Sequence, residues 1–188
     1  MLEQGVSAYP GISAWRAGLA SALCWIDRRT EAAEILEQAR AEHFEDVPAA
    51  STWTTTMALY ADAASQTGDS RAASILYELL EPWAGQVVWS GPLGYGHIRL
   101  WLGLLAVVLG RDGEADQHLR FACDFHEGND LPVWAARANL GWAEALASRG
   151  EAARAQKHAA RALELSQEHG YGAFEERATA IVEAQSTA

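Results

Sequence analysis

The sequence predicts an all-α protein, an α-solenoid of four helical hairpins closed by a C-terminal capping helix. Three observations predict it. Apolar residues recur at three- and four-residue spacing along most of the chain, the period of a helix that buries one face. Short polar or glycine-containing breaks interrupt these runs at nearly even intervals. The unit of run, break and run then returns four times, with Ala32, Ala73, Ala115 and Ala155 in equivalent places at separations of 41, 42 and 40 residues.

Residues 1–10 show no clear period, and Pro10-Gly11 reads as the lead-in to the first helix. Over 13–26 the positions Trp15, Leu19, Ala22, Leu23 and Ile26 keep helical spacing. Asp27-Arg28-Arg29-Thr30 breaks the pattern, with Thr30 expected to cap a second helix over 31–43 and a linker following at 44–48. The second hairpin carries Met57, Tyr60, Ala61 and Ala64, turns at Gly68 with Asp69 or Ser70 as cap, and returns through Ala73, Leu76, Tyr77 and Leu80. Residues 85–96, rich in Gly and Pro, read as an irregular connector that could act as a lid. The third hairpin runs over 97–128 with a turn at 110–113. The fourth spans 131–169, with Asp130 expected as N-cap and Pro132 in the first helical turn. A single amphipathic helix over 173–185 has no partner and reads as the cap. Repeats are thus placed at 13–46, 51–84, 97–128 and 131–169, within one domain over 1–188.

The register extends beyond the four alanines. Five residues earlier stand Asp27, Gly68, Gly110 and Gly150; four later, Leu36, Tyr77, Leu119 and Ala159; seven later, Ala39, Leu80, Ala122 and Ala162. Small residues on both helices of a pair allow close packing. Leu102-Gly103 sits where the tetratricopeptide repeat places its Leu-Gly pair, and Ala20, Ala61 and Ala143 stand at the matching small position. The array therefore resembles that repeat, although Arg16, Met57, Arg99 and Asn139 replace its tryptophan and the period exceeds its usual length of about 34 residues.

A resemblance over nearly the whole chain is carried by three groups of residues. They are 9–16 (Tyr-Pro-Gly-Ile-Ser-Ala-Trp-Arg), 76–82 with Ala84-Gly85 and Val87-Val88, and 102–106 with Leu109-Gly110-Arg111. These look like the C-terminal helical region of large bacterial ATPase regulators, similar to LuxR-type transcription factors and to cyclases carrying AAA or STAND-type ATPase modules. The resemblance implies a sensing and protein-interaction region, with ATP hydrolysis and DNA binding in other domains. This chain carries no G-x-x-x-x-G-K-[ST] phosphate loop and no basic recognition helix.

Composition narrows the partners. A net charge of −11 with 14 basic residues argues against direct nucleic-acid binding, which needs clustered Lys and Arg. Arginine far outnumbers the single lysine, Lys157, and alanine is abundant, a usage expected of a GC-rich bacterial genome. Two cysteines, Cys24 and Cys123, suit a reducing compartment. No basic stretch followed by an apolar run opens the chain, and residues 100–109, its most apolar run, are too few for a span of about 20. A cytoplasmic location without membrane contact is the expectation.

In tetratricopeptide-like arrays the first helix of each pair lines a concave groove. Carried over by register, this places Ala17, Ser21 and Trp25; Thr55, Ala58 and Asp62; His97, Leu100 and Leu104; and Arg137, Leu140 and Glu144 along it. Such a groove suits a protein or peptide helix or a small apolar effector. Trp53, with Trp15 and Trp134, falls near the start of a first helix, where core packing explains it as well as binding does. Trp89, in the connector, is the indole expected to be exposed or to fold over the groove.

Catalytic and metal chemistry find little footing. The glycines of 91–96 follow a helix and lack dinucleotide spacing. Cys123, Asp124, His126 and His118 lack zinc-like spacing and read as solvated helix-end residues; Glu31, Glu34 and Glu37 read as a solvated face. Neither cysteine has a local base. The sequence thus points to a non-enzymatic interaction or effector-sensing module without cofactor or metal. The alternatives are a stand-alone small-molecule-binding protein or enzyme using the groove, and an array that mainly self-associates.

Overall fold

A computed structural model describes residues 2–8, 12–45, 47, 52–91 and 93–186, the side chains of 185 and 186 excepted. The class is all-α, with ten helices and one two-stranded sheet among the described residues. The helices are α1 (Leu2–Ala8), α2 (Ser13–Cys24), α3 (Arg29–Ala41), α4 (Trp53–Thr67), α5 (Ser70–Leu80), α6 (Ile98–Val108), α7 (Asp112–Gly128), α8 (Pro132–Ser148), α9 (Ala152–His169) and α10 (Gly172–Ser186). Strands β1 (Val87–Ser90) and β2 (Leu93–His97) lie between α5 and α6. The chain divides into two compact units, Met1–Ala115 and Asp116–Ala188.

Four positions that the sequence register makes equivalent share one backbone conformation. Asp27, Gly68, Gly110 and Gly150 all hold a positive φ, at 58°, 72°, 67° and 74°. In three of these turns the following N–H closes back over five residues at 2.9 Å: Arg28 to Leu23, Arg111 to Ala106 and Glu151 to Leu146. At the fourth, Gly68 N–H bonds Ala64 at 3.0 Å. A left-handed residue satisfies the last carbonyls of the incoming helix in this way and reverses the chain. All twelve register positions from Ala32 to Ala162 are buried, as are Ala20, Ala61, Gly103 and Ala143.

In the first unit α4 is central, packed against α2, α3, α5 and α6. Its inner face is Met57, Tyr60, Ala61 and Ala64, as the period predicted. In the second unit α8 and α9 form a long hairpin, and α10 packs on both. Arg177 of α10 donates to Glu144 of α8 from Nε at 2.8 Å, an ion pair that fastens the last helix.

Several local expectations are corrected. Thr30 does not cap α3: the helix begins at Arg29, its N-cap is Arg28, and no side chain caps it. Asp130 takes a positive φ of 54° and terminates α7, leaving Leu131 as the N-cap of α8, with Pro132 in its first turn as expected. The residues read as an irregular connector form a β-hairpin with its turn at Gly91, because Val87, Val88 and Trp89 favour strand and Val88 is buried. Residues 2–8 form a helix that periodicity did not show. Gly5 lets α1 lie against Trp15, where a Cβ would come within 2.7 Å of the indole. Asp69 does cap α5, accepting from the N–H of Arg71 and Ala72, both at 3.0 Å. Pro10-Gly11 of the lead-in, Asp46 and Pro48 of the 44–48 linker, and Pro92 of the 91–96 glycine segment lie outside the described residues. No helix among the described residues is long and apolar enough to cross a membrane.

Candidate functional site

A trough of about 700 Å³ opens in the first unit. Ala14, Gly18 and Ala22 stand four residues apart on α2, so one face of that helix carries almost no side-chain bulk and leaves room for the trough. Trp15 and Trp25 frame it, with Leu2 of α1, Thr55 and Leu59 of α4, and Ser90 and Tyr95 of the hairpin completing the walls. Ile12 and Ile26 stand at its edge, 48% and 62% exposed. Large apolar side chains left open to water around a concave, mostly apolar surface mark a binding site more often than a monomer's ordinary exterior. Among the described wall residues none carries a formal charge.

Hydrogen bonds hold Trp25 and Tyr95 in place. Asp62 of α4 is 3% exposed and its Oδ2 accepts from Ser21 Oγ at 2.7 Å, from Trp25 Nε1 at 3.0 Å and from Gln66 Nε2 at 3.1 Å. Ser21 and Trp25 are one turn apart, so a single carboxylate pins the end of α2 to α4 and fixes the indole at the trough wall. Tyr95 is tied to α6 by Trp101 Nε1, which donates to its carbonyl at 3.1 Å.

Of the residues predicted to line a groove, Ser21, Trp25 and Thr55 meet in this trough, and Asp62 lies behind its wall. Ala17, Ala58, Leu100, Leu104 and Leu140 are placed in the core, because first-helix residues here face neighbouring helices on more than one side. His97 is also buried and caps α6, its Nδ1 accepting from Arg99 N–H at 3.2 Å; burial first, then the Arg99 charge, lowers its pKa to about 4. Arg137 is buried on α8, and Glu144 holds Arg177. Trp53 rests against Trp83 with ring centres 5.7 Å apart. Trp89 is 59% exposed and pairs across the hairpin with Gly94, where an added Cβ would make ordinary contact with the indole at 3.6 Å. Sequence reasoning missed Leu2, Trp15 and Tyr95 as trough residues. The strand-favouring run Val87-Val88-Trp89 was the available signal for the hairpin, and nothing local announced α1.

The second unit holds a more polar cleft of about 550 Å³ between α7, α8 and α9. Behind it Asp116 accepts from Trp142 Nε1 at 2.9 Å, Arg149 at 2.7 Å and Arg154 at 2.8 Å. Burial alone would raise the pKa of this carboxyl, but the three donors overcome it and bring it down to about 2. Trp142 stacks on His158 with ring centres 4.0 Å apart. Asn139 Oδ1 can only accept, so His158 Nδ1, 2.8 Å away, carries the proton; burial, then Lys157 and Arg154, lowers the imidazole to about 4.

Cys123 and His126 are buried, which corrects their reading as solvated helix-end residues: both lie on the inner face of α7. Burial, then Glu127 and Asp124, pushes the Cys123 thiol up to about 12, far from a reactive thiolate. Glu31, Glu34 and Glu37 form an exposed face as expected. No group of three or more His, Cys, Asp or Glu among the described residues is placed to hold a metal.

No family model, curated protein or solved structure matches the chain.

Proposed function

We propose that this chain is a non-catalytic binding module that senses an apolar ligand through the first-unit trough. The observation that carries this reading is the trough framed by Trp15 and Trp25, without charge among its described wall residues and with Ile12 and Ile26 exposed at its edge. Its walls come from four parts of the fold: α1, α2, α4 and the β-hairpin. A bound molecule touches all four at once, so it favours the arrangement in which they stand closest and shifts the population toward it. The resemblance to the helical regions of bacterial ATPase regulators supports placing the module in such a regulator, in the cytoplasm, as part of a helical-repeat array. There the shift would be passed to attached domains or to a protein partner.

The test is a dye-binding measurement on the whole chain. Nile red, a neutral apolar fluorophore, is expected to bind with a blue-shifted emission at one molecule per chain. Gly18→Leu places a side chain in the trough, where an added Cβ meets only Leu2 at 3.7 Å, and should abolish binding while leaving the helical circular dichroism unchanged. Equal binding by wild type and Gly18→Leu, or none by wild type, sinks the reading.

A further inference from the structure

One wall residue of the trough carries a buried polar group with nothing to bond. Thr55 lines it, is 4% exposed, and has its Oγ1 closed off from water with no hydrogen-bond partner. Two other threonines of α4 show the contrast: Thr56 Oγ1 donates to the carbonyl of Thr52 at 2.9 Å, and Thr67 Oγ1 to that of Ala63 at 2.8 Å, each four residues back. A buried hydroxyl left unpaired is rare, because it has given up its bonds to water without replacement. Ser21 and Trp25, the neighbouring polar wall groups, are spent on Asp62.

We infer that the trough takes a neutral, mostly apolar small molecule carrying one hydrogen-bonding group, an alcohol, phenol or carbonyl, that pairs with Thr55 Oγ1. This rests on the reading of the trough as a ligand site and names its ligand class. The threonine hydroxyl can donate or accept, so either kind of polar group satisfies it, and a turn between staggered rotamers brings it to a ligand. The described wall residues carry no charge, which favours a neutral ligand, since a carboxylate or ammonium would lose its hydration and meet no opposite charge among them. The indoles of Trp15 and Trp25 favour a planar or ring-containing apolar body.

Competition against bound Nile red tests this with three probes of one shape: 4-butylphenol, butylbenzene and 4-butylbenzoate. On the wild-type chain 4-butylphenol is expected to bind about tenfold more tightly than 4-butylbenzoate. Thr55→Val, which removes the hydroxyl at nearly constant shape, should weaken 4-butylphenol about tenfold, the worth of one neutral hydrogen bond of roughly 1.4 kcal/mol. It should leave butylbenzene unchanged, and Thr55→Ser should restore the phenol. Thr55→Val removes an unpaired group, so its melting temperature should not fall. If Nile red binds and Gly18→Leu blocks it, yet Thr55→Val changes phenol affinity less than twofold or the benzoate binds best, the ligand class is wrong and the site stands. If Nile red does not bind the wild type, both fall.

Discussion

Trp25 Nε1 donates to Asp62 Oδ2 at 3.0 Å, and this bond links the turn of the first hairpin to the centre of the second. It makes the trough wall a property of two hairpins packed together, since the C-cap of α2 supplies the indole and α4 the carboxylate. The same oxygen accepts from Ser21 and Gln66, so losing it would strand three donors, of which Ser21 is buried.

Asp62→Ala is therefore expected to destabilise the chain by about 1–3 kcal/mol, the cost of unpaired buried polar groups. It should also shift tryptophan emission to the red as Trp25 leaves its place. Asp62→Asn keeps one acceptor oxygen and should cost less. Urea unfolding followed by fluorescence checks both, and an Asp62→Ala midpoint equal to that of wild type would show that the three bonds contribute nothing.

The four turns predict opposite outcomes for two simple substitutions. Asp27 holds a φ of 58°, where glycine is the least strained residue, so Asp27→Gly should stabilise by roughly 0.5–1 kcal/mol. Gly150 has φ 74° with nothing within 4 Å of an added Cβ, so Gly150→Ala meets no clash but carries the left-handed penalty and should cost about 1 kcal/mol. Thermal melts of the two variants should move in opposite directions.

Acid should weaken the fold in two steps. His97 and His158 have folded pKa values of about 4, below the ordinary 6.5, chiefly through burial. The unfolded chain therefore takes up these protons first as pH falls, and stability is full above about pH 6.5 and declines toward pH 4. Asp116, lowered from 3.8 to about 2, contributes stability that persists above 3.8 and is lost between 3.8 and 2. Urea midpoints at pH 7.5, 5 and 3 should decrease in that order, and His158→Gln should flatten the first interval.

Much of this protein follows from local pattern. The period of apolar and small residues marks the buried face of each helix, because a helix returns to the same side every three to four residues whatever it packs against. The breaks at Gly68, Gly110 and Gly150 mark the turns because only a residue tolerant of positive φ closes a helix end that way. Aspartate at 27 performs the same turn by side-chain identity alone, and only the four-residue register makes it recognisable.

The trough itself depended on tertiary structure. Trp15 became a wall residue because Gly5 allows α1 to lie beside it, and residues 2–8 have no periodicity of their own to announce that helix. The register carried from tetratricopeptide repeats brought Ser21, Trp25 and Thr55 together. It placed Leu100 and Leu104 on the same imagined surface, whereas α6 buries them on the inner side of the unit. Sequence alone determined the buried register positions from Ala32 to Ala162 and the four helix ends at Asp27, Gly68, Gly110 and Gly150. Which inward faces meet another helix and which are left open depends on how many neighbours each helix acquires, a quantity fixed by packing between segments far apart in the chain.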